Sequence, residues 1–239
     1  SKVKHIKARV DAKKGKAFSK VGREITVAAR LGGADPDMNP SLRLAVQKAR
    51  DVNMPKDNIQ RAIDKGAGAG EGNNLEEVIY EAYAPGGVAV LIRGFTDNKN
   101  RTVPNIRAML SKAGGSLASS GAVQYLFNKK GVILCDDTVD ADAVMTVAIE
   151  SGADDVDVSD DGCVEVLTSP DQFEGVLQGF QNASLEYVQA SIEMVPETCI
   201  ELDVQKAKGF LQLIDKLEDD DDIQDVYHNA DIPDEALED

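Results

Sequence analysis

The chain has 239 residues, 42% of them hydrophobic, and a net charge of −16; that length suits two or three domains with real cores, and no apolar run approaches the ~20 residues of a membrane span. The charge is segregated: residues 1–130 carry 23 Lys and Arg against 12 Asp and Glu, whereas residues 131–239 carry 3 against 30. A basic half joined to an acidic half points to a protein that meets polyanion with one part and keeps the other off it.

The N-terminal stretch SKVKHIKARVDAKKGKAF is basic but has no apolar segment, so it predicts no secretory signal and a cytoplasmic setting. Residues 16–31 repeat with helical period. Phe18, Val21, Ile25 and Ala28 share one face, and Lys16, Lys20, Arg23 and Arg30 share the opposite one, with Val27 falling among the basic residues. Gly32-Gly33 supplies the stop. A second helix starts at Asn39-Pro40, an N-cap followed by proline at the first helical position. Its apolar face is Leu42, Ala45, Val46 and Ala49, and its polar stripe is Arg43, Gln47 and Arg50. A third begins near Pro55, with Asp57 in the first turn and Ile59, Ala62 and Ile63 as core residues. The run from Gly66 to Asn74 reads as a linker, so residues 1–74 form a basic helical domain.

The period then changes to that of strands. Residues 75–84 and 87–95 flank Pro85-Gly86 as a hairpin. The loop Thr96–Thr102 leads to a helix over 103–113, closed by Gly114-Gly115, and to a strand over 122–127. Next come strand 130–135, helix 138–150, strands 154–158 and 163–168, helix 170–181 and strand 185–194, the βαββαβ order of a ferredoxin-like unit. Strand 198–204, helix 205–217 and strand 222–228 follow. The expected fold is α+β: an N-terminal helical domain followed by two α/β domains. One is discontinuous, 75–128 and 196–239, and the acidic ferredoxin-like unit, 129–195, is inserted in it. The acid run Glu218–Asp222 opposes the dipole of the helix it ends and lacks a calcium-loop pattern, so it is expected to stay solvated. The tail from Asn229 is expected to be disordered.

Cys135, Cys163 and Cys199 are far apart and form no CxxC pair, which predicts buried free thiols rather than zinc ligands. His5 and His228 are the only histidines, and no HExxH, P-loop, GxSxG or Cys-His set is present. No catalytic residue, metal or cofactor is expected. The residues suited to phosphate contact are Lys2, Lys4, Lys7, Arg9, Lys13, Lys14, Lys16, Lys20 and Arg23, with Arg30, Arg43 and Arg50 beyond them. A solvated helix face would explain the same stripe. Met54, Pro55, Lys56 and Asn58 offer a partner contact or plain helix-start chemistry. Asn98, Lys99, Asn100 and Arg101 lie between a strand and a helix start, where an anion or simple capping fits.

Residues 22–63 (GREITVAARLGGADPDMNPSLRLAVQKARDVNMPKDNIQRAI), YEAYAPGGVAVLI, TDNKNRT and IQDVYHN together resemble the YebC family, which includes the mitochondrial translational activator of cytochrome oxidase. The likeness covers nearly the whole chain, with its motifs in order. Similar proteins usually open with GHSKW, whereas this chain begins SKVKHI. The resemblance implies a three-domain α/β, non-enzymatic protein of cytoplasm or mitochondria. It also implies either DNA binding in transcription regulation or action on translation, including ribosome rescue at proline-rich stalls. Of the readings that compete, a ribosome- or RNA-directed translation factor suits the charge dipole best, with basic ribosomal proteins as further partners of the acidic half and no membrane. A DNA-binding transcriptional regulator is the alternative, though no clear recognition helix stands out. An enzyme has least support.

Overall fold

The structure, a computed structural model, describes residues 2–3, 5–7, 14–68 and 74–238, with residues 14 and 15 described by their backbone alone. In chain order the elements are helices α1 (Lys14–Gly32), α2 (Pro40–Asp51) and α3 (Lys56–Ala67), strands β1 (Glu76–Ala84) and β2 (Val88–Thr96), α4 (Lys99–Lys112), β3 (Ser116–Leu117), β4 (Phe127–Cys135), α5 (Ala141–Ser151), β5 (Asp155–Val158), β6 (Val164–Thr168), α6 (Phe173–Asn182), β7 (Gln189–Pro196), β8 (Ile200–Glu201), α7 (Val204–Asp219), β9 (Ile223–His228) and β10 (Ala230–Asp231). The fold is α+β, and it divides into two compact units. One holds Ser1–Asp64 with Lys129–Met194, the other Lys65–Asn128 with Val195–Asp239.

In the first unit, α1 to α3 share a core of Ile25, Ala29, Leu42, Ala45, Val46, Ala49, Met54, Ile59 and Ile63. Asn39 joins two helices. Its carbonyl oxygen accepts from the Leu42 N–H at 3.2 Å to cap α2, and its amide donates to the carbonyls of Ala28 and Gly33 at 2.8 and 2.9 Å. A Cβ at Gly32 would stand 2.6 Å from that amide nitrogen, so the glycine is required by close approach. The Thr26 hydroxyl donates to the Ala62 carbonyl at 3.1 Å, and Val27 is 3% exposed. The later turns of α1 are thus enclosed on more than one stripe, which accounts for the apolar residue among the cations.

The same unit contains the four-stranded sheet β5-β6-β4-β7, with β4 and β5 each antiparallel to β6. That is the strand order of a ferredoxin-like split βαβ arrangement. Ile133, Cys135, Val164 and Val166 meet Val144, Ala148, Val176 and Phe180 of α5 and α6 in its core, and Leu44 of α2 packs against that cluster. Asp140 caps α5 and Gly152 ends it at φ +103°.

The second unit holds the sheet β3-β1-β2-β9, whose Ala82, Val90, Ile92 and Ile223 pack on Ile106 and Leu110 of α4 and Phe210, Ile214 and Leu217 of α7. Four expectations change here. The strand expected over 122–127 is a 3₁₀ turn at Gln124–Leu126, because its backbone bonds to a side chain rather than to a strand. The buried Glu81 carboxylate accepts from the N–H of Gly121, of Val123 at 2.9 Å and of Gln124 at 2.7 Å. Burial alone would raise the Glu81 carboxyl, but those three N–H bonds outweigh it and hold it below its ordinary value. The strand expected over 198–204 shrinks to Ile200–Glu201, since Asp203 caps α7. The tail is ordered: Ala230–Asp231 pairs in parallel with β8, and Ala236 is buried against the α7 core. The acid run is not wholly solvated. Asp222 is 5% exposed and accepts from the Arg101 guanidinium at 2.8 and 3.2 Å and the Thr102 hydroxyl at 2.8 Å. Those donors replace the water lost on burial.

Asp222→Ala leaves the Arg101 guanidinium with Asp97 alone and removes the tie between the start of β9 and α4, while the Thr102 hydroxyl keeps Thr96 and the Asn98 carbonyl. It should lower unfolding free energy by about 1–3 kcal/mol. The exposed Glu150→Gln should stay within about 0.5 kcal/mol of wild type. Urea denaturation of the two variants checks this.

Candidate nucleic-acid interface

Lys4, Arg9 and Lys13 lie outside the described residues, as does the side chain of Lys14. Three of the remaining candidate cations are committed within their own unit. Lys7 donates to Asp136 at 2.6 Å. Lys2 lies 3.6 Å from Glu165 and 3.9 Å from Glu193. Arg43 uses its whole fork: Nε and Nη2 face Glu174 at 3.3 Å, and Nη1 donates to the carbonyls of Pro36 and Asp37 at 3.0 Å. All four carboxylates belong to residues 131–194, a stretch with 15 Asp and Glu and no Lys or Arg.

A neutral-pH hydroxyl–carboxylate pair adds to this seam. The Tyr187 hydroxyl donates to Asp51 at 2.9 and 3.1 Å. Burial, reinforced by the Asp51 charge, pushes the Tyr187 hydroxyl up to about 12, and burial also raises the Asp51 carboxyl.

On α1, Lys16 is exposed and Lys20, Arg23 and Arg30 are half-buried. Arg50, Lys56, Arg61 and Lys65 are exposed around the end of α2 and along α3, with Lys48 half-buried beside them. Among the described residues no ion pair ties down these five. The sequence reading did not single out Lys48, Arg61 or Lys65. The signal available was the four-residue interval from Arg61 to Lys65 and the place of Lys48 two residues before Arg50, diluted by Asp57 and Asp64. Met54 is buried in the helical core, whereas Pro55, Lys56 and Asn58 are exposed at the start of α3.

The Asn98–Arg101 turn is filled from within. The Asn98 side chain accepts from the Arg101 N–H at 3.2 Å and caps α4, which starts at Lys99 with Pro104 inside it. Lys99 pairs with Glu76 at 3.1 Å, and Arg101 pairs with Asp97 as well as Asp222. Asn100 is exposed. Cys135 and Cys163 are free and buried, with the Cys135 thiol pushed up to about 12 chiefly by burial, but Cys199 is exposed rather than buried. Among the described residues no His, Cys, Asp and Glu cluster could hold a metal ion, and no helix is long and apolar enough to cross a membrane.

The model of the TACO1/YebC protein N-terminal domain matches residues 1–69, and that of the TACO1/YebC second and third domain matches residues 75–230. The chain belongs to the TACO1/YebC family. Among curated relatives, a probable transcriptional regulatory protein of Idiomarina loihiensis is 50% identical over 99% of this chain and 95% of its own length. One of Syntrophus aciditrophicus is 51% identical over 100% of this chain and 96% of its own. The crystal structure of a conserved hypothetical protein from Aquifex aeolicus superposes with a TM-score of 0.86 at 43% identity, covering 97% of this chain and 96% of that one. The family likeness therefore spans both units, including the acidic ferredoxin-like segment.

The Lys7–Asp136 pair gives this unit a pH signature. The hydrogen bond from Lys7, then those from the Thr138 hydroxyl and N–H, hold the Asp136 carboxyl at about 2 against an ordinary 3.8. A depressed carboxyl stabilises the fold above its ordinary value, and that contribution disappears as pH falls through the folded value. The difference in thermal midpoint between wild type and Asp136→Asn should be constant above about pH 5 and shrink steadily towards pH 2. Calorimetric scans of both proteins across that range measure it.

Proposed function

We propose that this protein is a non-enzymatic, nucleic-acid-binding regulator of gene expression that acts on the ribosome as a translation factor in the cytoplasm. The observation that carries this reading is the charge arrangement of the first unit. Basic helices α1 to α3 share one compact body with a 64-residue stretch that has 15 carboxylates and no cation. A ribosome presents both rRNA phosphate and basic protein, so both parts of such a body find complementary surface. A duplex presents a uniform line of phosphate, which the carboxylates oppose. The contact set runs from Lys16, Lys20 and Arg23 on α1 to Arg50, Lys56 and Arg61 on α2 and α3. Relief of proline-rich stalls as the specific task rests on the family resemblance.

Duplex-DNA binding in transcription is the second reading. The names of the curated relatives favour it. So does the short turn Val52–Pro55 between α2 and α3, which has helix-turn-helix length and leads into exposed Asn58 and Arg61.

Affinities of the full chain for ribosomes and for mixed-sequence duplex, measured at about 0.15 M salt where the Debye length is about 8 Å, separate the two. Tighter ribosome binding is expected. Lys16→Gln, Lys20→Gln and Arg23→Gln together should flatten the log K against log salt slope by about 2–3 units. Arg43→Met should lower thermal stability and leave the slope unchanged, because its fork is already filled. Selection of one duplex sequence, with ribosomes ignored at that salt, would establish the second reading instead.

A further inference from the structure

We infer that the groove between α4 and α7 docks a short acidic segment of a partner protein, one that carries a small apolar residue between its carboxylates. The recess measures about 310 Å³ and lies within the second unit. Its floor is apolar, formed by Met109, Ala113, Phe210 and Leu213, and Lys112, Lys206 and Lys216 stand on its rim.

The lysines are the first argument. Residues 131–239 contain only three cations, Lys206, Lys208 and Lys216, against 30 acids, yet two of the three line this one groove. Lys112, Lys206 and Lys216 are all exposed, and none of their ammonium groups has a hydrogen bond or ion pair among the described residues. Three other cations of the same unit are committed, Arg93 to Asp225 and Glu77, Lys99 to Glu76, and Arg101 to Asp222 and Asp97, whereas Arg107 and Lys208 have no such partner among the described residues but do not line the groove.

Gly209 is the second. It sits exposed in the middle of the 16-residue α7, where glycine is the poorest helix former after proline. A Cβ there would meet nothing within 4 Å, so no packing inside the chain calls for glycine. Close approach of an outside backbone does call for it. Lys206, Gly209, Leu213 and Lys216 recur at intervals of three, four and three, which makes them one stripe with a lysine at each end, ~15 Å apart along the axis.

The occupant follows from chemistry. Carboxylates about that far apart reach both lysines, and a small apolar side chain settles over Gly209 against Phe210 and Leu213. A continuous nucleic-acid strand fits poorly, since its phosphates would run on past Lys216 into the acidic run Glu218–Asp222, whereas a short segment ends its carboxylates at the two lysines. The site uses no cation of α1 to α3, so it stands apart from the nucleic-acid reading.

The test uses the full chain and a fluorescein-labelled 15-residue peptide with Glu-Glu at each end and Leu-Ala-Leu at its centre. Fluorescence anisotropy should show micromolar binding, at least tenfold weaker when Gln replaces Glu. Lys206→Gln with Lys216→Gln should lose at least tenfold. Gly209→Leu should abolish binding while the thermal midpoint holds or rises, because leucine favours the helix; loss of binding in a stable protein separates docking from misfolding. The proposal is overturned if the peptide fails to bind at about 1 mM, or binds wild type and the double lysine variant alike. It is equally overturned if a 15-nucleotide RNA, and not the peptide, shifts the amide resonances of Gly209 and Ala113. A dimer seen by sedimentation that dissociates in Gly209→Leu would assign the groove to a second copy and likewise overturn it.

Discussion

A stretch with fifteen carboxylates and no cation of its own draws its cationic partners from elsewhere in the chain, and the N-terminal segment supplies them to Asp136, Glu165, Glu174 and Glu193. Arg43–Glu174, Lys2–Glu165 and Lys7–Asp136 all join the N-terminal helical segment to the ferredoxin-like one. Magnitudes decide what these pairs do. The Arg43 and Glu174 side chains are 36% and 42% exposed, and pairs that wet are worth ~0–1 kcal/mol each. Leu44 is half-buried against the ferredoxin-like core, so it contributes a fraction of the about 1.5–3 kcal/mol of a fully buried leucine, on the scale of one such pair. Charge pairing and apolar contact therefore act together at this surface.

The second unit solves a related problem with buried carboxylates. Glu81 collects three backbone N–H groups and Asp222 collects a guanidinium and a hydroxyl. Glu81 ties the 118–126 turn to the sheet β3-β1-β2-β9, and Asp222 ties the end of the acid run to the first turn of α4. A carboxylate with three donors remains charged at low cost when buried, whereas one with fewer would be expensive.

These two residues also mark where sequence reasoning stopped. Period and capping made the start and the apolar face of α2 legible, because Asn39, Pro40 and the Leu42–Ala45–Val46–Ala49 face are local signals. The βαββαβ order was legible for the same reason. The turn at 124–126 read as a strand because AVQYLF has strand composition, and nothing nearby in sequence announces that Glu81, some forty residues earlier, will claim its N–H groups. The tail read as disordered because its composition is acidic, yet Ala230, Ile232 and Ala236 pack against the core that α7 shares. Among the site residues, Lys2, Lys7 and Arg43 looked free because a one-dimensional reading cannot see Glu165, Asp136 and Glu174 folded opposite them. Long-range partners, not local propensities, account for each difference.

Self-pairing also bears on how such a protein would choose its target. A phosphate chain that captures Lys2 or Lys7 must first displace a carboxylate of the same molecule. That displacement subtracts the same small amount from binding to every polyanion, specific or not. Random duplex offers only phosphates in return, so the subtraction stands. A surface that also presents cations to the freed Glu165, Glu193 and Asp136 returns what was subtracted. On this argument the acidic segment does not block nucleic acid. For the ribosome-directed factor proposed above, it would weaken non-specific contacts and leave those with a mixed-charge target intact, in a cell crowded with other polyanions.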